Sequence, residues 1–301
     1  MKLGTRQSPL AMVQAQLVKD LLEHHHPSLS VDIVAIKTTG DIILDKRLCD
    51  IGGKALFTKE LDNALYDGRC DIAVHSLKDV ETILPEGMEL ACTLPREEIH
   101  DVIISRDNIK LLDLPQGATI GTTSLRRQAQ LLKMRPDFNI VMFRGNVGTR
   151  LKKLKQGDAD ATLLALAGLN RLGMQHVATE VLDSDVFIPA VGQGAITIQC
   201  LSTAMDIKQL VAPLHCEVTH LSVSCERAML HALDGTCKTP VGGKAVLNGL
   251  GNITLTAFAS THDASVFKRL EKTAPIAQAQ QLGRDVGFEL RVHMGNDFDR
   301  M

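Results

Sequence analysis

The sequence predicts an α/β protein: two doubly wound domains, followed by a small α+β domain. Three observations predict it. At 301 residues and 45% hydrophobic content, the chain exceeds a usual single core and can fill more than one. Its first two thirds alternate short apolar runs with helical ones, the rhythm of βαβ units in an open parallel sheet. Beyond Pro240 that rhythm gives way to a hairpin, one more strand and a final helix.

The chain starts with a strand-like Lys2-Leu3-Gly4. A helix then opens with Ser8 at its N-cap and Pro9 at its first position, and apolar positions continue through Leu22. Arg6 falls at this strand-to-helix junction. A strand over Val31 to Ile36 ends in the small polar turn Thr38-Thr39-Gly40-Asp41. Gly52-Gly53-Lys54, either a plain turn or a mobile loop over a pocket, precedes a helix over Phe57 to Tyr66. Asp71 to His75 reads as a buried strand, and Ser76-Leu77-Lys78-Asp79 comes off its end. A lysine and a carboxylate thus reach the sheet edge together. Asp79 is the best candidate for a catalytic acid, the competing reading being a surface pair with Lys78.

A proline-bearing crossing at Leu94-Pro95 leads to the strand Asp101 to Ser105 and a second α/β domain. Here the chain carries its densest chemistry, two strand-to-helix junctions loaded with arginine. After Ala118 to Ile120, Gly121 permits a tight turn and Thr122, Thr123 and Ser124 offer capping hydroxyls to a helix from Leu125. Arg126 and Arg127 fall in its first turn, where cations oppose the macrodipole at roughly 0.3 to 1 kcal/mol each. An anionic ligand would reverse that sign. The second junction repeats the design: a strand over Ile140 to Phe143, the turn Arg144-Gly145-Asn146, and a helix capped by Asn146 that carries Arg150 early. Arginine rather than lysine suggests two-point recognition of carboxylate or phosphate at strand ends and helix N-termini that already favour anions.

The strand Asp160 to Leu166 brings Arg171 to one more strand end. Pro189-Ala190-Val191-Gly192-Gln193-Gly194 reads as a glycine-rich hinge before Ala195 to Cys200, a strand returning to the first domain. The expected domains are therefore residues 1–95 with 190–213, residues 96–189, and residues 214–301, with the ligand cleft between the first two. In the third, an amphipathic helix over Leu221 to Leu233 ends at a turn bearing Cys237. Lys244 to Leu247 and Ile253 to Ala259 form the hairpin, with another strand near Val266 to Leu270. A turn cysteine is more reactive than a buried helical one, the expected state of Cys225.

A formal net charge of −2 supplies no basic field for nucleic acid, and one Tyr without Trp leaves few stacking platforms. No apolar run reaches membrane-spanning length and no signal segment is evident, so a soluble cytoplasmic protein, a monomer, is expected. Seven scattered cysteines fit a reducing compartment. His24-His25-His26 reads as a solvated helix end, and His215, His220, Cys216 and Cys225 lack the spacing of a zinc site, so no metal is expected.

Five segments, Gly4 to Leu10, Asp71 to Asp79, Gly121 to Gln128, Arg144 to Leu151 and Pro189 to Ala195, together resemble the porphobilinogen deaminase family over essentially the whole chain. The resemblance implies two domains like those of periplasmic binding proteins, joined by crossing segments, and an α+β domain. It implies a transferase of tetrapyrrole and haem biosynthesis that condenses four porphobilinogen molecules, releasing ammonia, onto a dipyrromethane cofactor and yields hydroxymethylbilane. Cys237 would hold that cofactor through a thioether. Asp79 and Lys78 would be catalytic. Lys78, Asp79, Ser124, Arg126, Arg127, Arg144 and Gly145 would contact the cofactor, and Arg6, Ser8, Arg144, Arg150, Arg171 and Gln193 the substrate. Ala55, Val80-Glu81 and Thr236 depart from the family pattern. The alternative from another class is a non-catalytic anion-binding module, a solute-binding protein or an effector domain. Against it stand the missing export signal and the missing helix-turn-helix.

Overall fold

The computed structural model describes residues 1–42, 56–234, 239–295 and 297. Gly52, Gly53, Lys54, Ala55, Thr236 and Cys237 lie outside the described residues. In chain order the elements are β1 (Lys2–Arg6), α1 (Pro9–His25), β2 (Asp32–Ile36), α2 (Thr39–Ile42), α3 (Lys59–Tyr66), β3 (Ile72–Ser76) and β4 (Met88–Thr93). Then come β5 (Asp101–Ser105), β6 (Thr119–Gly121), α4 (Leu125–Met134), β7 (Asn139–Val141), α5 (Val147–Gln156), β8 (Ala161–Ala165), α6 (Leu166–Arg171) and β9 (Glu180–Val181). The chain finishes with β10 (Ile196–Leu201), α7 (Met205–Val211), α8 (Glu217–Ala232), β11 (Val241–Leu247), β12 (Asn252–Ser260), β13 (Phe267–Pro275) and α9 (Ala279–Met294).

The described chain forms two compact units. The first comprises residues 1–42, 56–97 and 194–220, the second residues 98–193 together with 221–234 and 239–295. In the first unit the sheet order is β2-β1-β3-β10-β4. β1 runs parallel to β2 and β3, whereas β10 runs antiparallel to β3 and β4. The second unit repeats the pattern as β7-β6-β8-β5-β9, with β6 parallel to β7 and β8, and β5 antiparallel to β8 and β9. Each sheet is thus mixed. The reason is connectivity. A crossover within one sheet enforces parallel pairing, but β5 and β10 each begin just after the chain passes from one unit to the other, at residues 97–98 and 193–194.

β3 is buried on both faces up to Ser76, as a central strand should be. Leu3, Val18, Leu22, Ile72 and Ile198 fill the core against α1. Ile103, Leu111, Ile120, Leu163 and Phe187 do the same in the second unit. Burying each such side chain contributes about 1.5–3 kcal/mol over leaving it in water.

The second unit also carries the antiparallel sheet β11-β12-β13, cored by Met229, Leu255, Val286 and Leu290 from that sheet and from α8 and α9, with Leu233 just past α8. β13 runs to Pro275, well past the expected Leu270, because it pairs residue for residue with β12. That pairing draws the exposed Glu271, Lys272 and Thr273 into the strand against their own weak apolar signal. Cys225 is fully buried on α8. Three helix starts follow the sequence reading: Ser8, Ser124 and Asn146 each accept a backbone N–H from three residues on.

Candidate active site

The site residues fall into two groups, one in each unit. In the first, Arg6 ends β1 and Ser8 caps α1, its Oγ accepting from the Ala11 N–H at 3.3 Å. The side chain of the buried Gln14, on α1, is hydrogen-bonded to Ser76 at the end of β3. After β3 comes a single tight turn, Leu77–Asp79, fixed by the Leu77 N–H on the Ala195 carbonyl at 3.0 Å. This turn presents Lys78 and Asp79 at the sheet edge. Arg6, Ser8, Gln14, Phe57, His75 and Asp79 line an open pocket. Within it Arg6 Nη1 approaches Asp79 Oδ2 at 3.4 Å. On its other side Arg6 meets Asp41, and its guanidinium carbon lies 4.1 Å from the centre of the Phe57 ring. Burial acts to raise the Asp41 carboxyl, but Arg6 and the Thr38 hydroxyl outweigh it and hold it below its ordinary range.

The second group lies on the matching strand ends. Gly121 ends β6 so close to Phe143 that a Cβ there would sit 2.5 Å from the ring. Gly145 turns the chain after β7 at φ +127°, where a side chain would be strained and would also strike Thr149. Arg126 and Arg127 are buried, so they are not solvated helix-surface residues. Both converge on Asp101, the first residue of β5, which is fully buried. Arg126 Nη1 lies 2.7 Å from Asp101 Oδ2 and donates to the Ile188 carbonyl at 2.8 Å. Arg127 donates to Asp101 Oδ1 through Nη2 at 2.6 Å and Nε at 3.2 Å, and through Nη1 to the Leu163 carbonyl at 2.8 Å. Gln193 joins them, its Nε2 donating to Asp101 Oδ1 at 3.2 Å and to the Ile99 carbonyl at 2.7 Å. Burial acts to raise the Asp101 carboxyl, but the two guanidinium groups overcome it and hold it far below the carboxylate range.

Within the chain, the carboxylate of Asp101 is an anion that offsets Arg126 and Arg127 in the first turn of α4. The missed signal is an Asp opening the otherwise apolar run Asp101-Val102-Ile103-Ile104.

Arg150 differs from that pair. Its Nε donates to the Gly145 carbonyl at 2.9 Å. Burial first, then the nearby charges of Arg127 and Arg144, push its guanidinium down to about 10. Arg144 is buried and Arg171 ends α6. A cation forced among cations in a partly buried position is a ready receptor for carboxylate groups. That donor set fits a pyrrole cofactor whose rings each carry an acetate and a propionate. Missed altogether by the sequence reading were Asp41 and Phe57 as partners of Arg6.

The arginine-bearing strand ends of each unit define a protein suited to anionic, carboxylated small molecules. Residues 1–209 match the family model described as "Porphobilinogen deaminase, dipyromethane cofactor binding domain", and residues 220–291 match "Porphobilinogen deaminase, C-terminal domain". The chain is 48% identical over 303 residues to "Porphobilinogen deaminase, chloroplastic" of Oryza sativa subsp. japonica, covering 99% of this chain and 85% of that protein. It is 48% identical over 298 residues to "Porphobilinogen deaminase" of Nitrobacter winogradskyi, covering 98% and 94%. The chain belongs to the porphobilinogen deaminase family. Among solved structures, the periplasmic VFT2 domain of Bordetella pertussis BvgS aligns at a TM-score of 0.42 and 14% identity, over 70% of this chain and 85% of that one. No described helix is long and apolar enough to cross a membrane.

Proposed function

We propose that the family reaction runs in this chain on Asp79. That reaction condenses four porphobilinogen molecules head to tail, releases one ammonia per addition, and frees the linear hydroxymethylbilane by hydrolysis. The dipyrromethane cofactor supplies the covalently held primer onto which the pyrroles are added. In each addition the aminomethyl C–N bond breaks and ammonia leaves, so the substrate becomes a methylene-pyrrole cation. A C–C bond then forms to it from a free pyrrole α-carbon, and that carbon loses its proton.

Asp79 hydrogen-bonds the leaving amine, faces the cation as charge develops, and accepts the proton at its carboxylate. A fixed carboxylate at a developing cation is electrostatic preorganisation and needs no reorganisation at the moment of reaction. Lys78 assists from the same turn. Arg6, Ser8, Arg144, Arg150, Arg171 and Gln193 bind the substrate. Ser124, Arg126, Arg127, Arg144 and Gly145 hold the cofactor, with Cys237 as its thioether attachment in a third domain, residues 214–301. Arg126 and Arg127 contribute through the donors left over by Asp101, Ile188 and Leu163. The same reading makes the working unit a cytoplasmic monomer without a nucleic-acid partner.

The observation that carries this reading is Asp79 on the wall of a pocket it shares with Arg6 and Ser8, 3.4 Å from the Arg6 guanidinium. The test combines mass spectrometry with kinetics. Protein from cells making porphobilinogen should carry a dipyrromethane mass that maps to Cys237, and Cys237→Ser should lack it and make no hydroxymethylbilane. Asp79→Asn should keep the adduct but lower kcat by at least about a hundredfold. An adduct on another cysteine sinks the Cys237 assignment, and normal turnover in Asp79→Asn sinks the role of Asp79.

A further inference from the structure

Among the described residues, a two-point ion pair holds Arg6 along one edge. Its Nε donates to Asp41 Oδ2 at 3.3 Å and its Nη2 to Asp41 Oδ1 at 2.5 Å, a two-point contact with one carboxylate. Asp41 is anchored in turn, because the Thr38 hydroxyl donates to its Oδ2 at 2.7 Å and its own N–H donates to the Thr38 carbonyl at 3.0 Å. Phe57 packs against the guanidinium as well. A guanidinium is rigid and planar and offers carboxylates two edges, Nε with Nη2 and Nη1 with Nη2. Asp41 fills the first. What reaches Asp79 is the far nitrogen, Nη1, through a single long contact of 3.4 Å.

We propose that Asp41 is a positioning residue for the reaction: it fixes the plane of Arg6 so that the Nη1 edge faces the pocket, open to a substrate carboxylate and touching Asp79 at one point only. Two consequences follow from the fork geometry. With Asp41 present, Arg6 can grip a carboxylate without releasing its anchor, since the two edges are separate. Without Asp41, the guanidinium is free to turn its two-point edge onto Asp79, a carboxylate it already touches. It would then occupy the group that must face the developing cation. Arg6 and Asp41 are each only 20% exposed, so solvent does not dissolve the contact as it would a surface pair.

The competing account is a plain clasp, in which Asp41 merely ties the Thr38 turn to the end of β1. The two accounts differ in whether Asp41 acts through Arg6. The inference rests on the Asp79 reading above, so its test has one arm that needs no turnover.

In the first arm, the side-chain Nε–H resonance of Arg6, assigned by its loss in Arg6→Gln, is followed by NMR. It should exchange slowly with water in the wild-type protein and at least about tenfold faster in Asp41→Asn. An Arg6 signal that does not respond to Asp41→Asn overturns the proposal whatever the enzyme does.

The second arm is a double-mutant cycle in kcat/KM. Asp41→Asn should cost about tenfold to a hundredfold, a scale set by misplacing a binding and a catalytic group together. Asp41→Glu should recover part of this. Adding Asp41→Asn to Arg6→Gln should cost nothing further, because the residue through which Asp41 acts is already gone. Losses that multiply in the double variant support the clasp and overturn the proposal, as does wild-type kcat/KM in Asp41→Asn. If Asp41→Asn proves too unstable to assay, Thr38→Val loosens the same anchor and should move both readouts in the same direction by a smaller factor. Normal turnover in Asp79→Asn would retire the Asp79 reading, while the Nε–H measurement would still decide whether Asp41 orients Arg6.

Discussion

The two mixed sheets share a strand order yet manage charge in opposite ways. At the strand ends of the first unit one arginine, Arg6, stands against two carboxylates, Asp41 and Asp79, each partly open to solvent. A titratable group buried beneath, His75 on β3, has its imidazole pushed down to about 4, so it is neutral near pH 7. Burial is the main cause, reinforced by the Arg6 charge and opposed by the Gln199 amide. In the second unit the ratio inverts: Arg126 and Arg127 share the single carboxylate of Asp101, all buried. The first unit therefore places its arginine–carboxylate contacts at the rim, whereas the second buries such a cluster. The lesson is that a common topology fixes where strand ends fall and leaves the sign of the field to the side chains. A reaction that makes a cation from a multiply anionic substrate needs both signs.

The largest predicted effect tests whether the second unit depends on its interior charge. Asp101→Asn keeps the shape but leaves Arg126 and Arg127 without their counter-charge, and breaking a buried ion pair this way costs about 3–5 kcal/mol. Thermal and urea unfolding should show that loss, whereas Asp41→Asn at the more open pair of the first unit should cost under about 1.5 kcal/mol. Equal losses at the two positions would erase the contrast between buried and rim charge. Acid alone should not mimic Asp101→Asn. A depressed carboxyl contributes stability that persists above its ordinary range and is lost only as pH falls through its folded value, here far below that range.

How much of this was legible beforehand follows from the range of each interaction. Ser8, Ser124 and Asn146 were readable as caps because a cap and its N–H partner are three residues apart. Arg126 and Arg127 were readable as misplaced cations for the same local reason. Their counter-ion was not, because Asp101 reaches α4 from β5, 26 residues back along the chain from Arg127, and only the sheet order brings the two together. The antiparallel direction of β5 and β10 was hidden likewise, since no local pattern distinguishes a strand arriving from another unit. Asp41 read as a turn residue, which it is, but its second role needs β1 alongside.

A smaller effect probes the neutral imidazole buried in the first unit. His75 in the folded protein sits near 4, below its ordinary value of 6.5. Between those two values the unfolded chain binds a proton that the folded chain refuses, so stability falls as pH drops from about 6.5 to 4, by about 3 kcal/mol in full. Melting curves across that window should steepen in the wild-type protein and flatten in His75→Asn or His75→Leu, whatever each substitution costs at pH 7.5. Parallel acid slopes in all three proteins would mean that the imidazole is not the group taking up the proton.

The smallest effect lies where the stored charge of the second unit meets the proposed ligand. Arg150 is held down to about 10 by burial and by Arg127 and Arg144. A depressed base means that its charged form is disfavoured in the folded protein, so stability should rise, not fall, as pH climbs from about 10 toward the ordinary arginine range. At pH 7.5 the guanidinium is charged and that cost is present. Arg150→Met keeps the length of the side chain and removes the charge, and replacing a poorly compensated buried ion by an apolar group is neutral or favourable by about 1 kcal/mol. The ligand-free variant should therefore melt at the same temperature as wild type or about 2 °C higher. Malonate, a dicarboxylate that cannot be turned over, should raise the melting temperature of the wild type by mass action and raise that of Arg150→Met less. The trade is between stability and binding, and the two measurements move in opposite directions on one residue. A variant that is less stable alone yet gains as much from malonate as wild type would show that Arg150 supports the fold and that the carboxylates are received elsewhere.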